Sequence, residues 1–201
     1  MRIGIMGGTF DPIHNGHIML GEYAYRQFDL DEVWFMPNGN PPHKQDNLNR
    51  TDAKIRSEMV ALAIKDYPQF KLQEHEINRK EISYSYQTME YFHNKYPEHE
   101  FYFIIGADSL SSIESWMKPE RLLKTCTMLA AFRDEMNCQS VMKKQIEELN
   151  QKYNADIRLL NTPLVDVSSS QLREDIKNNR PVGDKIHENV IDYIKKHQLY
   201  C

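Results

Sequence analysis

Two histidines, His14 and His17, stand three residues apart at the end of the run Gly7-Gly8-Thr9-Phe10-Asp11-Pro12-Ile13-His14-Asn15-Gly16-His17. Taken alone they are two surface histidines, a common residue type on protein exteriors. They could also be a zinc pair, but no third ligand follows at a fixed spacing, and two imidazoles do not close a zinc site. Their setting points elsewhere. A glycine pair lets the backbone turn sharply and come close to a ligand. A helix start carries unpaired N–H groups and the positive end of the helix dipole, which suit a phosphate. Imidazoles on such a turn add donors, so the stretch reads as a phosphate site that also does chemistry. Near the other end of the chain stands Ser168-Ser169-Ser170-Gln171-Leu172-Arg173. The plain reading is a serine-capped helix with a surface arginine. The functional reading adds three hydroxyls and helix N–H groups for an anion, with Arg173 one turn on to pair with a phosphate.

These groups need elements to position them. Ile3-Gly4-Ile5-Met6 is a short apolar run before the first glycines, and residues 18–28 follow as an amphipathic helix. Val33 to Met36 is a second buried strand, closed by Pro37 and followed by a loop, 37–45, whose prolines and Gly39 forbid regular structure. Thr51 is placed to cap a helix to about Asp66, with Ile55, Met59, Leu62 and Ala63 inward. Phe70 to Ile77 reads as an edge strand, half of it polar. Ser83-Tyr84-Ser85 opens a helix that stops before Pro97. Phe101 to Ile105 is a continuous apolar run, as a central parallel strand requires, and runs into Gly106-Ala107-Asp108. Thr127 to Phe132 and Ile157 to Leu160 are further strands, with helices over 140–152 and 187–197. Strands alternating with helices make an α/β, doubly wound parallel sheet. The chain shows no repeat or linker, so residues 1–201 are read as one domain with a helical portion from about 168. Gly7-Gly8, the 37–45 loop, Gly106–Asp108 and Ser168–Arg173 all fall just after strands, where such sheets bind ligands.

The glycine turn is neither of two common phosphate loops. It lacks G-x-x-x-x-G-K-[ST] and it lacks G-x-G-x-x-G. The pattern G-G-T-F-D-P-x-H-x-G-H resembles instead the nucleotidylyltransferase superfamily, whose members move an NMP unit from an NTP to a phosphate or similar acceptor. The serine turn ending in Arg173 resembles that superfamily's second signature, which binds the triphosphate. Pro41-Pro42-His43-Lys44 looks like a loop of the bacterial nicotinate-mononucleotide adenylyltransferases, and Ser83-Tyr84-Ser85 looks like their S-Y-T with Ser85 for threonine. Gly106-Ala107-Asp108 stands for the more usual G-G-D, and the alanine is expected to need no positive φ. Arg133 matches the arginine of an R-P-G turn, with Asp134-Glu135 in place of Pro-Gly.

The resemblance covers nearly the whole chain and implies a Rossmann-like fold. It implies transfer of AMP from ATP to nicotinate mononucleotide, giving nicotinate adenine dinucleotide and pyrophosphate, with Mg²⁺ arriving on ATP. It places His17 at the α-phosphate and His14, Lys44 and Arg173 at the phosphates. Gly8, Thr9 and Phe10 offer backbone there, Gly106 and Asp108 serve ATP, with ribose preferred over Mg²⁺ for Asp108, and Ser168 and Ser169 serve the triphosphate. Lys44, Ser85, Trp116 and Arg133 serve the acceptor, Trp116 lying near the pyridine ring. Rival acceptors are pantetheine phosphate and the amide mononucleotide. A non-catalytic sensor would be favoured by loss of a histidine, and both are present. An RNA-binding relative of class I tRNA synthetases would want a basic excess and a K-M-S-K-S-like loop, which are lacking.

Composition agrees. A net charge of −4 over 201 residues gives no reason to expect nucleic acid or an anionic membrane. No apolar stretch approaches the ~20 residues a membrane helix needs. Cys126, Cys138 and Cys201 share no metal spacing, and Met1-Arg2 leads directly into a strand, so a reducing cytoplasm is expected. The sequence leaves room for a homodimer.

Overall fold

The structure, a computed structural model, describes residues 1–40, 51–133, 139–163 and 166–201. Six parallel strands form one sheet in the order β3-β2-β1-β4-β5-β6. They are β1 (Arg2–Gly8), β2 (Glu32–Pro37), β3 (Phe70–Leu72), β4 (Glu100–Gly106), β5 (Thr127–Arg133) and β6 (Ile157–Thr162). Eight α-helices accompany them among the described residues: α1 (Asn15–Gln27), α2 (Ala53–Ile64), α3 (Ser85–Lys95), α4 (Ala107–Ser111), α5 (Pro119–Thr125), α6 (Gln139–Tyr153), α7 (Ser169–Lys177) and α8 (Glu188–Lys196).

Alternation along each strand sends side chains to two cores. Ile3 and Ile5 of β1, Phe101, Phe103 and Ile105 of β4, and Met128, Ala130 and Phe132 of β5 pack on one face with residues of α3 to α6. Met6, Val33, Phe35, Tyr102, Ile104 and Leu129 pack on the other with α1, α2, α7 and α8. Both faces are covered, which is why Phe101 to Ile105 is apolar without interruption. Each fully buried Ile, Leu or Phe contributes about 1.5–3 kcal/mol of transfer free energy, so these rows hold the strands in register. Ile3 lies opposite Glu32 on one side and Phe101 on the other.

Strand order reverses between β1 and β4, since the chain winds outward from β1 to β3 and then returns to β4. Ligand clefts open at the carboxyl ends of strands at such a switch point. Gly7-Gly8 ends β1 and Gly106 ends β4 there.

Three expectations need correction. The strand expected over Phe70 to Ile77 stops at Leu72, after which Gln73 donates to Phe35 O as a last ladder bond. Beyond it the acidic side chains turn to hydroxyl partners, Glu74 accepting from Ser57 and Glu76 from Thr88. The cap of α2 is Asp52, which accepts from the Lys54 N–H at 2.8 Å, and not Thr51. The inward face of α2 is also rotated, burying Arg56, Met59, Val60, Ala63 and Ile64, with Ile55 and Leu62 half-buried. The sequence reading missed α5, a seven-residue helix entered through Lys118 at a left-handed φ of 53° with Pro119 first.

Candidate active site

The first turn of α1 is built by the histidines themselves. His14 is the N-cap, with extended backbone, and its N–H donates to Nδ1 of His17 at 3.2 Å. A histidine thus takes the reach-back role that Glu or Gln plays in a capping box. A ring nitrogen that accepts carries no proton, so in the neutral ring Nε2 of His17 is the donor. The two imidazoles stack with centroids 3.7 Å apart and planes 27° from parallel. Phe10 meets the His17 ring edge-on at 5.0 Å. Phe10 itself is buried, in a left-handed conformation with φ of 50°, its ring directly under Gly8. A Cβ at Gly8 would come within 2.8 Å of that ring, which is a reason for glycine there.

The start of α7 closes against the same turn. A Cβ at Gly16 would lie 2.9 Å from Val167 and 3.1 Å from Nδ1 of His14, so the glycine lets the two helix starts meet. The Ser169 hydroxyl donates to Pro12 O at 2.9 Å, and Nη1 of Arg173 donates to Asp11 O at 2.7 Å. Ser168 caps α7 by accepting from the Gln171 N–H at 3.2 Å. The plain reading of the serines is therefore part of the answer. The helix dipole places roughly half a positive charge at each start, and two such starts face one cleft.

Two buried polar groups that sequence reasoning did not assign hold this arrangement. Asp11 is 5 % exposed and accepts from the Tyr200 hydroxyl at 2.7 Å and the Thr51 N–H at 3.3 Å. Burial, with Asp11 accepting its proton, raises the pKa of the Tyr200 phenol. Arg56 is fully buried and donates to Thr9 O at 2.6 Å, to Asn38 O and Thr51 O at 2.9 Å each, and to Asn38 Oδ1 at 3.4 Å. One guanidinium thereby ties the end of β2 to the turn after β1. Its signal in the sequence was an arginine at i−3 and i−4 from Met59 and Val60, on the inward stripe of α2.

The cleft holds about 1230 Å³, above the ~300–1,000 Å³ of an ordinary small-molecule pocket and roomy enough for two nucleotides side by side. Gly8, Thr9, His14 and His17 line one part of it, with Ser168 and Ser169 beside them. Gly106, Asp108, Ser85 and Trp116 line another part. A Cβ at Gly106 would meet nothing within 4 Å, so the glycine borders open cleft. Ala107 begins α4 without a positive φ, as expected. Trp116 is half-buried and set edge-on to Phe103 at 6.5 Å. Phe10 and Arg173 stand behind the lining, Phe10 beneath Gly8 and Arg173 on the Asp11 carbonyl. Lys44 lies outside the described residues, as does the side chain of Arg133 at the end of β5. Glu76, also unassigned from sequence, lines the cleft beside Ser83, Tyr84 and Ser85. Burial pushes its carboxyl up, opposed by Thr88, Arg79, Gly39 and Ser83. Among the described residues no group of three or more His, Cys, Asp or Glu could hold a metal ion. No described helix is long and apolar enough to cross a membrane.

A 3-2-1-4-5-6 parallel sheet with paired imidazoles on a helix start at the switch point makes a cleft suited to a phosphorylated ligand. Residues 5–175 match the cytidylyltransferase-like family, and the chain belongs to that family. Within it the similarity narrows to one activity. The chain is 38% identical over 200 residues to a Caldicellulosiruptor bescii protein named "probable nicotinate-nucleotide adenylyltransferase", covering 100% of this chain and 99% of that one. A protein of the same name from Lachnoclostridium phytofermentans is 40% identical over 199 residues, 99% and 98% of the two chains. Among solved structures, the fold resembles Plasmodium falciparum nicotinic acid mononucleotide adenylyltransferase complexed with NaAD. The TM-score is 0.81 at 24% identity, over 99% of this chain and 97% of that one.

Proposed function

We propose that the chain transfers the adenylyl group of ATP to nicotinate mononucleotide, forming nicotinate adenine dinucleotide and pyrophosphate. The observation that carries this is the closure of α1 and α7 on each other at the switch point, with two stacked imidazoles on the first of them. The curated relatives, named for the nicotinate nucleotide, support the pyridine acceptor over pantetheine phosphate.

An oxygen of the acceptor's 5′-phosphate attacks the α-phosphorus of ATP, and the bond from that phosphorus to the bridging oxygen of the β-phosphate breaks. A phosphate monoester has a second pKa of about 6 and arrives largely as the dianion, so the step needs no general base. It needs two anions brought together and charge on the α-phosphate and leaving pyrophosphate offset. Positioned donors supply that. We assign the Nε2 proton of His17 to the α-phosphate and His14 to the adjoining phosphates, with Lys44. Backbone of Gly8, Thr9 and Phe10 surrounds the same phosphates, Phe10 through main chain alone because its ring is buried. Ser168, Ser169 and the first N–H groups of α7 receive the triphosphate. Arg173 supports that end from the Asp11 carbonyl. Gly106 and Asp108 serve the adenosine, with Asp108 on a ribose hydroxyl. Mg²⁺ enters as part of the substrate, MgATP, keeping most of its waters.

We assign Trp116, Ser85 and Arg133 to the acceptor. A nicotinate carboxylate only accepts hydrogen bonds, so its site must donate. The Ser85 hydroxyl and the first N–H groups of α3 are donors of that kind. An amide in the same place would bring its NH₂ against donors and leave them unpaired, which discriminates strongly. Turnover of the two mononucleotides tests this: the acid should exceed the amide in kcat/KM by at least about tenfold, and equal efficiency would rule the preference out. The reading also sets the enzyme in the cytoplasm, where Cys126 and Cys201 stand as free thiols.

A further inference from the structure

The segment after β3 carries a carboxyl where the cleft lining would be expected to donate. Glu76 is 6 % exposed, and its carboxyl accepts from the Thr88 hydroxyl of α3 at 2.8 Å. Its backbone is packed as tightly: a Cβ at Gly39 would collide with Glu76 O, so only glycine fits against it without displacement. The Ser83 N–H donates to Asn40 O at 2.9 Å, joining the same two segments a second time. Three pieces of chain thus meet around Glu76: α3 through Thr88 on its carboxyl, the turn after β2 through Gly39 on its backbone, and the lead into α3 through Ser83 on that turn. Asn38, Ser83, Tyr84 and Ser85 of those segments line the cleft.

We propose that Glu76 is a positioning residue for the acceptor mononucleotide, setting the separation between the 38–40 turn and the start of α3 through its bond from Thr88 and the packing of Gly39 on its backbone. The proposal rests on the assignment of Ser85 and the α3 start to the acceptor. It gives the carboxyl no contact with ATP. The phosphate end of the cleft has its own anchors, Asp11 with Tyr200 and the α1–α7 contact, and Arg56 clamps Asn38 to Thr9 whether or not the Glu76 junction loosens. Loosening Glu76 should therefore be felt by one substrate and not the other. Glutamine at this position keeps the volume but replaces the carboxyl by an amide, which weakens the bond from Thr88 and loosens the junction.

Steady-state kinetics with each substrate varied in turn tests this, using Glu76→Gln, Thr88→Val and Thr88→Ser, with thermal melts to report folding. Glu76→Gln should raise KM for nicotinate mononucleotide about tenfold while KM for ATP changes less than about twofold. Thr88→Val should move the same way by a smaller factor, and Thr88→Ser, which keeps the hydroxyl, should stay near the parent. Should Glu76→Gln fail to fold, the Thr88 pair decides: Val and Ser alike in mononucleotide KM would overturn the proposal. So would a folded Glu76→Gln with unchanged mononucleotide KM, or equal rises for both substrates. If the parent chain itself turns over no pyridine mononucleotide, the acceptor assignment fails, and the proposal fails with it. If the parent turns over and only the Glu76 shift is missing, the acceptor assignment stands and the positioning role alone is lost.

Discussion

Replacing His17 by alanine lowers kcat by about 100- to 1,000-fold, the usual cost of removing one positioned donor to developing charge, while the unfolding free energy falls by about 2 kcal/mol or less. The asymmetry follows from where the ring sits. His17 is half-buried on the cleft wall, and Nδ1 accepts a bond of 3.2 Å from the His14 N–H. Losing that bond weakens one capping interaction, worth roughly 0.5–2 kcal/mol at most. The backbone bond from His17 N to His14 O, at 2.9 Å, survives the substitution. Losing Nε2–H removes the donor assigned to the α-phosphate. His17→Asn retains a donor on a shorter side chain and should recover part of the rate. Parallel urea titrations and saturation kinetics separate the two quantities. A large loss of stability with nearly normal kcat would make the histidine a structural cap only.

Arg56→Ala has the opposite signature, a cost to the fold on the order of 4 kcal/mol or more. Three causes add. The side chain is fully buried, so its removal opens a cavity. The carbonyls of Thr9, Asn38 and Thr51 lose a charged donor, and a hydrogen bond to a charged group is worth about 1.5–3 kcal/mol. Thr9 and Asn38 also line the cleft, so activity falls in the fraction that stays folded. Arg56→Lys should rescue little, because an ammonium group cannot span three acceptors as a planar fork does. The denaturation midpoint at constant m-value reports the cost. A change under about 1 kcal/mol in Arg56→Ala would show that the three carbonyls find other partners.

These two residues also mark what the chain reveals before it is folded. His17 is legible because its role is local: the glycine pair, the helix start and the imidazole spacing are all within eleven residues. The central strands are legible for a similar reason, since burial on both faces forces an unbroken apolar run such as Phe101 to Ile105. Arg56 is not, because a charged side chain on an amphipathic helix ordinarily marks the solvent face. Its inward position depends on carbonyls 5, 18 and 47 residues away. Glu76 was concealed inside what reads as the polar half of an edge strand; the strand ends at Leu72 and the acid turns inward. The Tyr200–Asp11 bond joins positions 189 apart, and no local pattern announces it. Short α5 has too few turns to show periodicity. What was readable is the chemistry carried by contiguous motifs; what was not is the polar framework that holds those motifs to one another.

Transfer of the adenylyl group has a direct test in the fate of the α-phosphate. ATP labelled at the α- or the γ-phosphate is incubated with the enzyme, Mg²⁺ and nicotinate mononucleotide, and the products are separated. The α-label should appear in nicotinate adenine dinucleotide and the γ-label in an equimolar amount of pyrophosphate. Release of the γ-label as inorganic phosphate, its transfer to the mononucleotide, or the absence of any α-labelled dinucleotide would contradict attack at the α-phosphorus, and with it the function assigned to His14, His17 and the α1–α7 cleft.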